Sequence, residues 1–527
     1  MLKRLAFWTA PLIFIGVLFY WPVANIIGLG ISADTFGAIF ERHTVNAIWF
    51  TLWQAALSTM LCIVIGVPSA YVLYRKSFRG QRFVRALITV PLVLPTIIVA
   101  IAFSNFHFMA PIALIIVAHV FINYSLVVRT VGGVWATMDN ETEDAAALAG
   151  AGRFRTLMQI SLPQLKPAIV SAAALTFLYC STSYGVILVL GGGMVNSIET
   201  EISAAAVQFL DLGKAAGLAI LQTLLSIAAF SVSSLIAPAA IGIEQVHEGS
   251  PKPRIDLRDW PALAITALCV LGLVALPIVV VLLKAFQIGD SFGIDNFINL
   301  AGHGSHELLN VTIAQATSNT LRNVAVSSTL AIGFGTLIAY LLSLPSNNRA
   351  QLFLQRSMDA LFLLPIGISS VVLGFGYLIT FGDGPLPLRS SWLVVPLVQS
   401  LMALPLVVRL IYPALISIGH EQREAAANAG AHAGQIWFHV ESKMIRNVIL
   451  TAVGFSLIVS IGEFGAASLL AYGDQATLPT VLYALISRPG PVNFGMAMAV
   501  SAILIVLTFT LVFAVSRRPR EQRQVSV

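Results

Sequence analysis

Long apolar runs separated by short polar stretches dominate the chain. A bilayer-spanning helix needs about 20 apolar residues, and twelve runs reach that length. They cover about 6–30, 47–73, 85–104, 110–129, 167–190 and 215–238, then 260–284, 320–344, 359–381, 391–412, 447–471 and 493–515. Each is apolar on all faces and longer than a barrel strand, so the pattern predicts helices and not alternating strands. The first run follows Lys3 and Arg4 as a signal peptide would. It is too long for one and no small-x-small cleavage site follows, so it reads as an uncleaved first span.

Composition agrees and narrows the class. Of 527 residues, 57% are hydrophobic and 10% charged, against about 45–50% and about 25% in soluble domains. Mean hydropathy is +0.87. A soluble fold, a disordered chain and a disulfide scaffold are excluded. The net charge of +6 is no nucleic-acid footprint, because the basic residues fall between apolar runs. Most of them fall on one side if the N-terminus is cytoplasmic, as the positive-inside rule requires. Only Arg42, Lys214, Lys284, Arg322, Arg389 and Arg488 are left for the other side. Both termini are then cytoplasmic, the C-terminal one as a basic tail over 516–527. Trp8, Trp21, Trp260 and Trp392 lie near run ends, where interfacial anchors belong. Cys62, Cys180 and Cys269 sit within apolar runs, too few and too far apart for a metal cage or a disulfide framework.

The chain repeats itself. Thr51-Leu52 aligns with Thr320-Leu321, Ser58 with Ser327, Gly66 with Gly335, and Ala70-Tyr71 with Ala339-Tyr340. Further on, Pro91 meets Pro365, Leu126-Val127-Val128-Arg129 meets Leu406-Val407-Val408-Arg409, and Gly185 meets Gly465. Six spans per copy return the chain to its starting side. Residues 1–238 and 260–515 therefore form two repeats of one orientation, related by a pseudo-twofold axis along the membrane normal. Residues 239–259, with Pro251 and Pro253, read as a cytoplasmic linker.

Two cytoplasmic inserts are longer than a connection needs, 130–166 and 410–446. The first carries Glu143-Asp144-Ala145-Ala146-Ala147-Leu148-Ala149-Gly150, then Ile160-Ser161-Leu162-Pro163. The second carries Arg423-Glu424-Ala425-Ala426-Ala427-Asn428-Ala429-Gly430. An acidic start followed by alanines favours a helix N-terminus, and glycine permits a sharp break after about two turns. Each insert is thus predicted as a helix-turn-helix with a small-residue surface that a partner's groove can approach.

Acidic-Ala-Ala-x3-Gly-x9-Ile-x-Leu-Pro resembles the signature of bacterial ABC import permeases of the binding-protein-dependent type. The first copy matches throughout, with Asp144 for the usual Glu. The second matches at Glu424, Ala425, Ala426 and Gly430, but has Val440, Ser442 and Lys443 where Ile, Leu and Pro are expected. The resemblance implies an all-α polytopic type I importer permease in the bacterial cytoplasmic (inner) membrane, with both permease units fused. Asp144, Ala145, Ala146 and Gly150, and Glu424, Ala425, Ala426 and Gly430, then belong to coupling helices that insert into two copies of an ATP-binding cassette ATPase. An extracytoplasmic substrate-binding protein delivers the solute. No G-x-x-x-x-G-K-[ST] occurs in the chain, so ATP hydrolysis belongs to a separate subunit, and the chain is neither an enzyme nor a holder of a cofactor.

Leu190-Gly191-Gly192-Gly193 before Ile198-Glu199, and Ser460-Ile461-Gly462-Glu463-Phe464-Gly465 before Thr477-Leu478-Pro479, look like thiamine permeases. Ferric-iron permeases share much of the pattern. Glu463 lies within the eleventh run, where lipid exposure of an ionisable group costs at least about 2.5 kcal/mol. It pairs in this reading with Tyr184 of the first copy. Either it offers charge to a cationic substrate such as thiamine, or it is a carboxylate hydrogen-bonded between helices. His119, Asn123 and Gln399 line the pathway or bridge helices. No metal centre is expected. Glu199, Glu201 and Asp211 make the outer segment 191–214 acidic, either to dock a binding protein or as a solvated face; the outer segment 285–318 is also long enough to receive one. A gradient-driven secondary transporter also shows two six-span repeats, but would carry ionisable residues through several spans. An intramembrane enzyme would need paired catalytic groups at depth, and Glu463 stands alone.

Overall fold

The computed structural model describes residues 2–31, 41–138, 141–236, 253–344, 349–382, 388, 391–488 and 490–516. Most of the predicted linker and nearly all of the basic tail lie outside these residues. Among them, nine unbroken helices are long and apolar enough to cross a membrane, and three bent pairs bring the number to twelve. The first half holds Phe7–Gly30, Arg42–Arg75, the bent pair Gln81–Val93 and Thr96–Phe103, Pro111–Thr137, Arg153–Ser181 and Leu212–Ser233. The second holds Trp260–Ala285, Ile313–Ser343, the bent pair Gln351–Gly367 and Ser370–Thr380, Val394–Ile416, the bent pair Gly434–Met444 and Arg446–Gly462, and Pro491–Thr510. We refer to them as spans one to twelve.

The twelve predicted spans are present, but several are not straight. Span three turns by 100° and span nine by 98°. Proline causes the first bend. It disfavours the helical region for the residue before it, and Leu94, ahead of Pro95, is extended at ψ 107°. In span nine Pro365 opens a 3-10 turn, Ile368 is extended, and Ser369 caps the new helix by accepting from the Val372 amide at 3.1 Å.

Spans five and eleven stop earlier than predicted, at Ser181 and Gly462. Short helices Gly185–Gly191 and Gly465–Leu470 follow each break. The chain then turns back into the bundle as Ile198–Gln208 and Leu478–Ser487. Glu199 and Glu201 are buried in the first of these returning segments, at 0% and 4% exposure, which corrects both readings of them as exposed, a docking surface or a solvated face. Asp211 is exposed.

The duplication is visible in single bonds. The Ile198 amide donates to Thr51 Oγ1 at 3.0 Å, and the Leu478 amide donates to Thr320 Oγ1 at 2.9 Å. Capping boxes Ser197–Thr200 and Thr477–Thr480 occupy the same frame. Gly185 aligns with Gly465, so Glu463 stands opposite Ser183, and Tyr184 stands opposite Phe464. The sequence pairing of Glu463 with Tyr184 is corrected by one residue.

Each repeat's first span packs on the other repeat. Span one stacks Trp8 on Phe362 and Phe14 on Phe334, and Tyr20 Oη donates to the Leu361 carbonyl at 3.0 Å. Asn25 Nδ2 donates to Thr380 Oγ1 at 2.9 Å. Span seven inserts Cys269, Val270 and Val274 into a cluster with Cys62, Tyr74, Tyr124 and Val127 of the first repeat. Trp8 is therefore a packing residue rather than an interfacial anchor, whereas Trp260 is 67% exposed, as an anchor should be.

Spans two and four, and spans eight and ten, meet at glycines. A Cβ on Gly66 would lie 2.7 Å from Val127 Cγ1, and one on Gly335 would lie 2.6 Å from Val407 Cγ1. Valine is stiff at χ1 in a helix and cannot swing away. Gly66→Ala and Gly335→Ala should each destabilise the protein by about 1–3 kcal/mol, read as a lowered thermal midpoint of the detergent-solubilised chain. Gly333→Ala, with nothing within 4 Å of its Cβ, should not lower it.

Candidate functional site

Each insert carries one short helix in the same frame of its repeat. The first spans Glu141–Leu148, the second His420–Asn428. Both end alike. The Gly150 and Ala151 amides donate to Ala147 and Ala146, and the Gly430 and Ala431 amides to Ala427 and Ala426. Gly150 sits at φ +84° and Gly430 at φ +87°, the left-handed conformation that this termination needs and that a Cβ disfavours. Asp144, Ala145 and Gly150 are exposed, as are Glu424, Ala425 and Gly430, while Ala146 and Ala426 are half-buried against the protein. Leu148, Phe154 and Met158 on the first insert, and Phe438 on the second, are exposed apolar side chains.

Each insert is clamped to its own repeat, with opposite polarity. In the first, Glu143 accepts from Arg75 Nη2 at 2.7 Å and from Ser161 Oγ at 2.8 Å, and Arg75 Nη1 donates to the Met138 carbonyl at 2.9 Å. In the second, Arg423 occupies the frame of Glu143 and Glu441 that of Ser161. Arg423 Nε donates to Glu441 Oε1 at 2.6 Å, and its Nη2 to the Leu415 carbonyl at 3.0 Å. Ser161 and Glu441 each end a π turn, Leu157–Ser161 and Trp437–Glu441. The copies diverge just beyond. The first continues unbroken through Pro163, whereas the second, lacking that motif, kinks by 74° at Ile445.

The first insert is also tied to the end of the linker. The Ser77 amide donates to the Pro253 carbonyl at 3.0 Å. Asp259 meets Lys76 at 2.9 Å, Tyr71 Oη at 3.1 Å and Arg153 at 3.4 Å. Burial works against the Asp259 charge, but the Asp256 amide and Lys76 outweigh it and hold the carboxyl below its ordinary range.

Deeper in the bundle the candidate polar residues separate into groups. His119 and Asn123 form a network between spans two, four and five. Gln54 Nε2 donates to the Cys180 and Thr51 carbonyls, which leaves Gln54 Oε1 as acceptor for His119 Nδ1 at 2.8 Å. The proton therefore sits on Nδ1. Asn123 Nδ2 donates to the His119 carbonyl and lies 3.4 Å from Cys180 Sγ. Gln399 is buried in span ten, and its Oε1 has no hydrogen-bond partner among the described residues.

Glu463 lies where span eleven breaks. Its Oε1 accepts from the Ala466 amide at 2.7 Å and its Oε2 from the Ala467 amide at 3.2 Å, so the carboxylate satisfies amides freed by the break. Glu199, from the other repeat, accepts from Ser369 Oγ at 2.9 Å. Sequence reasoning did not single out Glu199 as a buried group because it lies in a short polar stretch between runs. Gln54 was missed as one amide within an apolar run, and the Arg423–Glu441 clamp because its partners are far apart in polar inserts.

Comparison with known proteins fits this architecture. The family described as "Binding-protein-dependent transport system inner membrane component" matches residues 62–242 and 331–523. The chain is 24% identical over 522 residues to the thiamine transport system permease protein ThiP of Brucella abortus (strain 2308), covering 92% of this chain and 90% of that protein. It is 23% identical over 506 residues to the protein of the same name from Escherichia coli (strain K12), covering 91% and 90%. It is also 23% identical over 512 residues to a probable ABC transporter permease protein of Sinorhizobium fredii, covering 87% and 85%.

The inverted clamps can be tested by reversal. Arg423→Glu should lower the local opening free energy of helix 420–428 by about 1–3 kcal/mol, the cost of stranding a buried charged acceptor. Adding Glu441→Arg should restore most of it, with amide hydrogen exchange of the helix as the readout.

Proposed function

Because this chain belongs to the family of inner membrane components of binding-protein-dependent transport systems, we propose that it works as both permease units of one ATP-driven importer. Residues 1–238 and 260–515 are the two units, joined through 239–259. The helices Glu141–Leu148 and His420–Asn428 face the cytoplasm and dock on two copies of an ATP-binding cassette ATPase. Asp144, Ala145, Ala146 and Gly150, with Glu424, Ala425, Ala426 and Gly430, form the contact. The observation that carries this reading is the pair of exposed helices of matching frame, each ended by a positive-φ glycine and clamped to the next span. Closure of the ATPase dimer moves the two helices together. Glu143 passes that motion to span two through Arg75 and to span five through Ser161, Arg423 passes it to span eleven through Glu441, and the repeats rock about the pseudo-twofold axis. A binding protein delivers the solute at the opposite face.

The proposed solute is thiamine, a cation. The names of the similar proteins support it, as do the buried carboxylates of Glu199 and Glu463, which have no basic partner among the described residues. His119 and Asn123 hold spans two, four and five together beside the path, Gln399 lies along it in span ten, and Glu463 holds the break in span eleven open at its wall.

Asp144→Arg with Glu424→Arg should abolish ATPase association and cut uptake of labelled thiamine at least about tenfold, the reach of a coupling worth 1.4 kcal/mol or more. The assay uses cells holding the cognate ATPase and binding protein, with ferric iron in parallel. Iron uptake alone would keep the importer and replace the solute. Uptake that survives both the double substitution and ATP depletion would make the chain a gradient-driven carrier.

A further inference from the structure

We propose that Glu199 is the carboxylate that meets the positive centre of the substrate, at a closed gate formed by Tyr184 and Phe464. This inference rests on the importer reading above and assigns residues to its path.

The gate follows from symmetry. Tyr184 and Phe464 occupy one frame of the two repeats, and they stack on each other with centroids 5.5 Å apart and planes inclined by 24°. Two equivalent residues that touch must lie at the pseudo-twofold axis, where a path between two rocking halves has to run. Phe464 also packs against Tyr483 at 5.7 Å. Gly185 leaves room for the second ring: a Cβ there would lie 3.1 Å from Phe464 Cδ1.

Glu199 stands beside this stack. Tyr184 Oη is 2.9 Å from Ser203 Oγ, and Ser203 is one helical turn beyond Glu199 on the same returning segment, hence on its face. Glu199 is fully buried. Its Oε2 is held by Ser369 across the repeat interface, and its Oε1 finds no partner among the described residues. No Lys or Arg there pairs with it. A buried carboxylate so weakly compensated is costly, and packing does not require it, because Pro479 fills the same frame in the second repeat. Glu463 differs in that both its oxygens are taken by backbone amides.

When the repeats part, the stack opens two ring faces next to the unsatisfied Glu199 oxygen. Ring faces attract a cation and stack on flat rings, and the carboxylate supplies the counter-charge. The site thus fits an organic monocation with planar rings. The asymmetry is functional: one charge for one positive centre.

The test is uptake of labelled thiamine by cells carrying the full complex, normalised to the amount of chain in the membrane. Glu199→Gln keeps the shape and the bond from Ser369 but removes the charge, and should raise the half-saturating concentration at least about tenfold. Glu199→Asp should retain most of the wild-type affinity. Tyr184→Leu, which keeps bulk without a ring face, should also weaken uptake and stands in if the Gln variant fails to accumulate. Wild-type kinetics in Glu199→Gln or in Tyr184→Leu would overturn the inference while leaving the importer intact. Equal loss in the Gln and Asp variants would overturn it in favour of a packing role. Absence of thiamine uptake by the wild-type chain would instead remove the solute assignment on which it rests.

Discussion

Inside a bilayer no water is available to a peptide group, so every interruption of a helix must be repaired by the protein itself. This constraint organises the structure, because the chain interrupts its helices at membrane depth in both halves. Several of the interruptions carry a repair of their own. Ser369 Oγ accepts from the amide of Val372, and Glu463 accepts from the amides of Ala466 and Ala467. Thr51 and Thr320 reach from a neighbouring span to the first amides of the returning segments. The same polar residues that look expensive in a sequence are the ones that make broken helices affordable in lipid. Their presence at the centre leaves non-helical backbone where a passage between the halves would lie.

Duplication supplies the framework, and the halves diverge at a few polar positions. Gly66 and Gly335, the two threonine contacts and the two glycine-terminated loop helices are shared because both halves solve the same packing problem. Where the halves differ, the difference has a direction. Glu143 and Arg423 exchange sign while keeping the clamp, so the geometry is retained although the electrostatic surroundings are inverted. Glu199 corresponds in frame to Pro479, and Glu463 to Ser183.

Much of this was legible in the residues. Run length gave twelve spans, and the alignment of Thr51 with Thr320 and Gly185 with Gly465 gave the duplication. The glycines at 150 and 430 gave the ends of the loop helices, because only a positive-φ residue closes that turn cheaply. The breaks were not legible. Apolar residues continue past Ser181 and Gly462, and hydropathy does not distinguish one straight helix from two pieces. Pro95 hinted at the bend in span three, but proline is tolerated in membrane helices often enough that its presence alone does not set an angle. Glu199 and Glu201 were read as exposed because their segment is polar. Their burial follows from the chain turning back into the bundle, a tertiary event that local composition does not encode.

The exchange of first spans between the repeats sets a timetable for biogenesis. Tyr20 bonds to a carbonyl 341 residues further along the chain, and Asn25 to Thr380. At about 5–20 residues per second of synthesis, the earliest helix to enter the membrane waits roughly 20 to 70 s for the partners that complete its surface. Throughout that interval an asparagine amide and a tyrosine hydroxyl in an otherwise apolar helix have neither their final acceptors nor water. The first helix therefore completes its polar contacts only after most of the chain has been made.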